Sequence, residues 1–123
     1  MNLKTVKSLL ETETIFESSE ENDFEVINAC GADLMSDVLA FSNEKTLLLT
    51  GLTNPQVIRT AEMVGIKVII FVRGKEPLIE TIALANQLGI FLYSTEKPLF
   101  EACGLLYKNG IGPEEMNYIE TSK

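Results

Sequence analysis

The chain has 123 residues and a net charge of −8, from 18 acidic and 10 basic side chains. That length suits one domain with a proper core. The acidity, with no basic cluster denser than Arg73 and Lys75, excludes the phosphate-binding patch that nucleic-acid recognition needs. There is no histidine and only two cysteines, Cys30 and Cys103, which removes the commonest general base and leaves too few ligands for a structural zinc site or a disulfide framework.

Taken in order, residues 3–10 predict a helix with Leu3, Val6 and Leu10 on one stripe. The amphipathic N-terminal stretch does not read as a signal peptide. The longest apolar run, Val64–Val72, is interrupted by Gly65 and Lys67 and falls short of the ~20 residues of a membrane span. No membrane and a cytoplasmic location are therefore expected. Thr12–Ser18 predicts a strand, Ser19–Asp23 an acidic loop, and Phe24–Cys30 a second strand. Asp33 is placed to cap a helix over Leu34–Phe41, with Leu34, Val38 and Phe41 as its buried stripe.

The chain is organised around Thr46–Thr95. Three apolar runs, Thr46–Thr50, Val68–Val72 and Ile90–Tyr93, lack polar alternation, as strands buried on both faces of a parallel sheet do. Between them lie two segments long enough for crossover helices. The first starts at Thr53, which has capping-box spacing to Gln56, or at Asn54 with Pro55 in the first helical position; it ends at Gly65. The second spans Leu78–Leu88, with Pro77 placed as a first-turn proline and Leu78, Ile82, Ala85 and Leu88 inward. A last helix covers Pro98–Lys108 and buries Leu99, Cys103 and Leu106. The expected domain is 1–110, followed by a frayed tail over 111–123.

In open parallel sheets, ligands bind outside the carboxyl ends of the strands, where helix starts offer N–H groups and a partial positive charge. The candidate binding residues are therefore Thr50, Gly51, Thr53, Asn54, Arg73, Gly74, Ser94 and Thr95. The alternative is that these are only the turn and capping residues that such a fold requires. Asp33 and Asp37 could share a helix face and hold Mg²⁺ through water, or serve merely as a cap and a first-turn charge. Cys103 reads as a small core residue and Cys30 as an accessible thiol at a strand end; the alternative is a redox-sensing or metal role should the two approach each other. Glu20–Asp23 and Glu114–Glu115 read as acidic surface. No G-x-x-x-x-G-K-[ST] loop is present.

The order strand, Gly51, helix, strand, Arg73-Gly74-x-x-Pro77, helix, strand, Ser94-Thr95, helix resembles the DRTGG domain. That family occurs beside CBS domains and in long phosphotransacetylases, and is related in fold to the N-terminal domain of HPr kinase/phosphorylase. The stretch Ala29–Phe41, followed by Leu47–Pro77, looks most like small stand-alone members. Gly51 matches the first family glycine, but Leu52, Thr53 and Asn54 occupy its Asp-Arg-Thr positions. Gly74 and Pro77 match the second turn, where Val72 and Arg73 replace Thr and the first Gly.

The resemblance implies an α/β fold: a mostly parallel sheet flanked by helices, like the HPr kinase N-terminal domain. It also implies a regulatory or accessory module rather than an enzyme. The expected function is non-catalytic binding of a small anionic ligand, a nucleotide being the class in view, with no cofactor, no metal and no catalytic residue. The alternative is a protein–protein module that docks on a larger enzyme or dimerises without a ligand. A homodimer is expected only on the general prevalence of symmetric homo-oligomers.

Overall fold

A computed structural model describes residues 1–18 and 24–112. The acidic stretch Glu20–Asp23, the pair Glu114–Glu115 and the tail beyond Gly112 lie outside the described residues. The elements are α1 (Leu3–Leu10), β1 (Glu13–Phe16), β2 (Asn28–Gly31), α2 (Met35–Phe41), β3 (Thr46–Thr50), α3 (Pro55–Val64), β4 (Val68–Phe71), α4 (Ile79–Leu88), β5 (Phe91–Ser94) and α5 (Leu99–Lys108). The strands form one sheet in the order β1-β5-β4-β3-β2. β2 to β5 run parallel, and β1 is antiparallel to β5. This is the mostly parallel α/β architecture that the apolar runs predict.

The unbroken apolar runs are explained by position. β3 and β4 lie inside the sheet, and every residue from Thr46 to Thr50 and from Val68 to Phe71 is buried. Alternate side chains serve two cores. Leu47, Leu49, Val68 and Ile70 pack with α1 and α5, while Leu48, Ile69 and Phe71 pack with α2, α3 and α4. Burying each such side chain is worth about 1.5–3 kcal/mol, so the sheet centre is the main stabilising element. The buried Asn28 carboxamide accepts the Thr46 hydroxyl and links the first pair of the β2–β3 register.

Because β2, β3, β4 and β5 are consecutive neighbours, crossovers of one hand place α2, α3 and α4 on a single face. β5 feeds α5 to the other face, beside α1. Asn54 Oδ1 accepts from Gln56 N at 3.0 Å, and Pro55 is the first helical residue. That decides the start of α3 in favour of Asn54 over Thr53. Gly65, at φ 93°, closes the helix.

Several expected boundaries shift. The segment from Phe24 does not form one strand. Leu3 N donates to Phe24 O at 2.9 Å and Val26 N to Met1 O at 2.7 Å, so it pairs first with the N-terminus and joins the sheet only at Asn28. Pro77 is not a first-turn residue: Leu78 is extended, and its N–H bonds Thr53 O at 3.3 Å, so α4 begins at Ile79. Leu78 is consequently exposed. In α2 only Val38 is buried, because this helix lies at the sheet edge against α3; Leu34 and Phe41 face outward at 62% and 52% exposure. At the other end, Ile111 is buried in the α1/α5 core and Gly112 O accepts from Ala29 N at 3.0 Å, so the packed body reaches Gly112.

Candidate functional site at the carboxyl edge

The helices after β2, β3 and β4 lie on one face, and the helix after β5 on the other. The exits of β4 and β5 therefore diverge, which is where open α/β sheets form their ligand crevice. Here the divergence is closed by backbone bonds. Arg73 N donates to Lys97 O at 2.9 Å, Gly74 N to Thr95 O at 2.8 Å, and Thr95 N to Phe71 O at 2.9 Å. The N–H groups of Arg73 and Gly74 are thus committed within the fold.

The 72–75 turn has an unusual backbone. Lys75 N donates to Val72 O at 3.1 Å, and both central residues have positive φ, 57° at Arg73 and 65° at Gly74. This is the sign pattern of a type I′ turn. An arginine in that region costs roughly 1 kcal/mol. Gly74 is constrained by its positive φ; the 2.8 Å approach of a Cβ there to Glu96 Oε1 involves only the end of a flexible side chain. The Arg73 side chain is exposed and joins no ion pair among the described residues.

Asp33 is the residue that local reasoning misplaces. It does not cap α2, whose N-cap is Leu34 with no side-chain cap bond. Its Oδ1 instead accepts Gly51 N at 2.8 Å and the Thr50 hydroxyl at 3.0 Å. Asp33 lies outside the helix, so it does not form an i, i+4 carboxylate pair with Asp37. Among the described residues no three Cys, Asp or Glu side chains are grouped to hold a metal ion. Arg73 Nη2 and both Asp33 oxygens lie 3.5 and 3.7 Å from where a Cβ on Gly51 would sit. A side chain at Gly51 would therefore touch both the Arg73 guanidinium and the Asp33 carboxylate, which its absence leaves within reach of the backbone.

The other expected residues divide by role. Thr50 is buried, and its oxygen also accepts Leu52 N at 3.1 Å. Thr95 is buried; it donates to Leu10 O at 2.7 Å and accepts Lys97 N at 3.2 Å. Both hydroxyls shape the edge from beneath. Thr53 O takes the Thr81 hydroxyl at 2.7 Å and joins the starts of α3 and α4. Asn54 caps α3 at the surface. Ser94, the register partner of Phe71, lines a cavity of about 230 Å³ bordered by Glu13 and Glu76, whose charges disfavour an anion.

The cysteines do not form a joint site. Cys30 packs toward the α2/α3/α4 core and Cys103 toward the α1/α5 core, so they sit on opposite faces of β2. They form no disulfide. Burial, and secondarily the charge of Cys30, pushes the Cys103 thiol above its usual range, which lowers its nucleophilic fraction.

No family model matches this chain, and no curated protein does. Among solved structures, it is similar to the CBS and DRTGG domains of the regulatory region of Clostridium perfringens pyrophosphatase, complexed with the activator diadenosine tetraphosphate. The TM-score is 0.71 at 20% sequence identity, covering 85% of this chain and 45% of that one. This chain therefore matches less than half the length of the neighbour, and at that identity the likeness shows the fold alone. No helix among the described residues is long and apolar enough to cross a membrane.

Proposed function

We propose that this chain is a non-catalytic regulatory or accessory domain of the DRTGG type that binds a small anionic ligand, a nucleotide, at its carboxyl edge. The observation that carries the site is Arg73: an exposed guanidinium without an ion pair among the described residues, held in a left-handed backbone conformation beside Gly51 and Asp33. Arg73 would fork onto a phosphate. Gly51 would let the ligand approach the backbone, and the second oxygen of Asp33 would accept from ligand hydroxyls. Thr53, Asn54 and Gly74, which follow the same strand ends, would complete the site. Support for a nucleotide comes from the similar pyrophosphatase regulatory region, whose structure holds a nucleotide activator. The absence of histidine and of a phosphate loop in the sequence supports a non-catalytic role. A reducing, cytoplasmic setting suits two cysteines that are not joined.

The test is a thermal-shift panel of adenine and guanine nucleotides, cyclic dinucleotides and phosphorylated sugars. A ligand at about 100 times its Kd stabilises by about 2.7 kcal/mol, a rise of several degrees. The reading expects a hit that Arg73→Ala abolishes. A hit that survives both Arg73→Ala and Asn54→Ala moves the site elsewhere, and a flat panel at millimolar ligand removes the ligand altogether. The rival reading, a protein–protein module without a ligand, is favoured by one observation: the exposed aromatic residues of α5, Phe100 and Tyr107.

A further inference from the structure

We infer that α5 is the self-complementary contact of a homodimer, in which two copies of the helix cross antiparallel at Gly104. Phe100 and Tyr107 are 91% and 71% exposed. Seven residues apart, they lie two turns apart on one face of the helix. Gly104 sits between them, and a Cβ built there would meet nothing within 4 Å. The described residues give no steric reason for a glycine in mid-helix, where alanine is the better helix former. Close approach of a second backbone supplies one.

Charge complementarity favours another copy of this chain as the second backbone, in competition with the 3.7 Å contact of Glu101 with Lys97 Nζ in its own subunit. Glu101 and Lys108 are exposed, also seven apart, and lie on the flank of Gly104 opposite to the aromatic pair. In an antiparallel pair related by a two-fold axis near Gly104, residues on either side exchange places, and each flank meets the same flank of the partner. Phe100 then packs on the partner's Tyr107, and Glu101 pairs with the partner's Lys108. Each contact occurs twice. A parallel two-fold pairing would instead set the charged flank of each helix against the aromatic flank of the other. One helix pair buries less than a standard interface, so a weak, concentration-dependent dimer is expected.

Sedimentation equilibrium of the whole chain across micromolar concentrations tests this, and does so without any nucleotide. The wild type should populate a dimer. Lys108→Glu should weaken association about tenfold by placing like charges together twice, and Glu101→Lys with Lys108→Glu should restore it. Phe100→Glu should give a monomer. Circular dichroism checks that these exposed changes leave the fold intact. A wild type that stays monomeric, a dimer indifferent to Lys108→Glu and Phe100→Glu, or a double variant that fails to recover would each overturn the proposal.

Discussion

Asp33 Oδ1 accepts the backbone N–H of Gly51 at 2.8 Å, joining the exit of β2 to the exit of β3 across 18 positions of chain. The same oxygen takes the buried Thr50 hydroxyl. Removing the carboxylate leaves that hydroxyl without its acceptor. Asp33→Ala should therefore cost about 1 kcal/mol of stability, and Asp33→Asn, which keeps an acceptor oxygen, clearly less. Urea unfolding midpoints compare the two; equal midpoints for Asp33→Ala and wild type would mean the bond contributes nothing.

Arg73 carries a strain that its removal should relieve. With φ at 57°, the position suits glycine better than arginine. Arg73→Gly should raise stability by about 0.5–1 kcal/mol while eliminating binding of any nucleotide hit. Stability gained together with affinity lost is the pattern of a residue kept for its ligand. Destabilisation by Arg73→Gly in a denaturant titration would contradict the strained-turn account.

Gly31 faces α5 at very short range. A Cβ there would stand 2.5 Å from Cys103 Sγ and 3.1 Å from Leu99 Cδ1. Gly31→Ala should cost about 1–3 kcal/mol by overpacking. In a Cys103→Ala background much of that loss should vanish, since the sulfur that it meets is gone. A double-mutant cycle measures the coupling; simple additivity would mean that α5 shifts away rather than resisting.

A polar cluster under α1 sets a pH dependence. Glu17 Oε2 accepts from Lys7 Nζ at 2.8 Å and from the buried Tyr93 hydroxyl, and Lys7 lies 5.1 Å from the Tyr93 ring centroid. The hydrogen bond from Lys7, then that from Tyr93, holds the Glu17 carboxyl below its ordinary 4.5. Its contribution to stability is therefore complete above pH 4.5 and is lost as pH falls through the lowered value. Burial, then Glu17, pushes the Tyr93 phenol above its ordinary 10.0, so folding holds the neutral form and this contribution fades as pH rises past 10. Thermal unfolding against pH should show Glu17→Gln flattening the acid limb. An unchanged acid limb in that variant would place the acid sensitivity elsewhere.

Much of the fold is legible in the order of residues because its cause is local. Leu47–Leu49 and Val68–Phe71 are apolar without alternation because both faces of an inner parallel strand are covered. Asn54-Pro55 marks the start of α3 because capping involves only the next two or three N–H groups. Arg73 and Gly51 were also recognisable as carboxyl-edge residues, since each follows a strand by a residue or two.

Tertiary structure alone decides what those edge residues touch. Asp33 looks like a helix cap until the β2–β3 pairing brings Gly51 beneath it. Thr95 looks like an available hydroxyl until α1, from the other end of the chain, sets Leu10 O against it. The positive φ of Arg73 and the outward turn of Phe100 and Tyr107 are likewise invisible to periodicity. Hydrophobic period reports which face of an element is buried, a property of neighbours three or four residues away. Strand order, and with it every contact across the carboxyl edge, depends on how crossovers of fixed hand pack whole elements together.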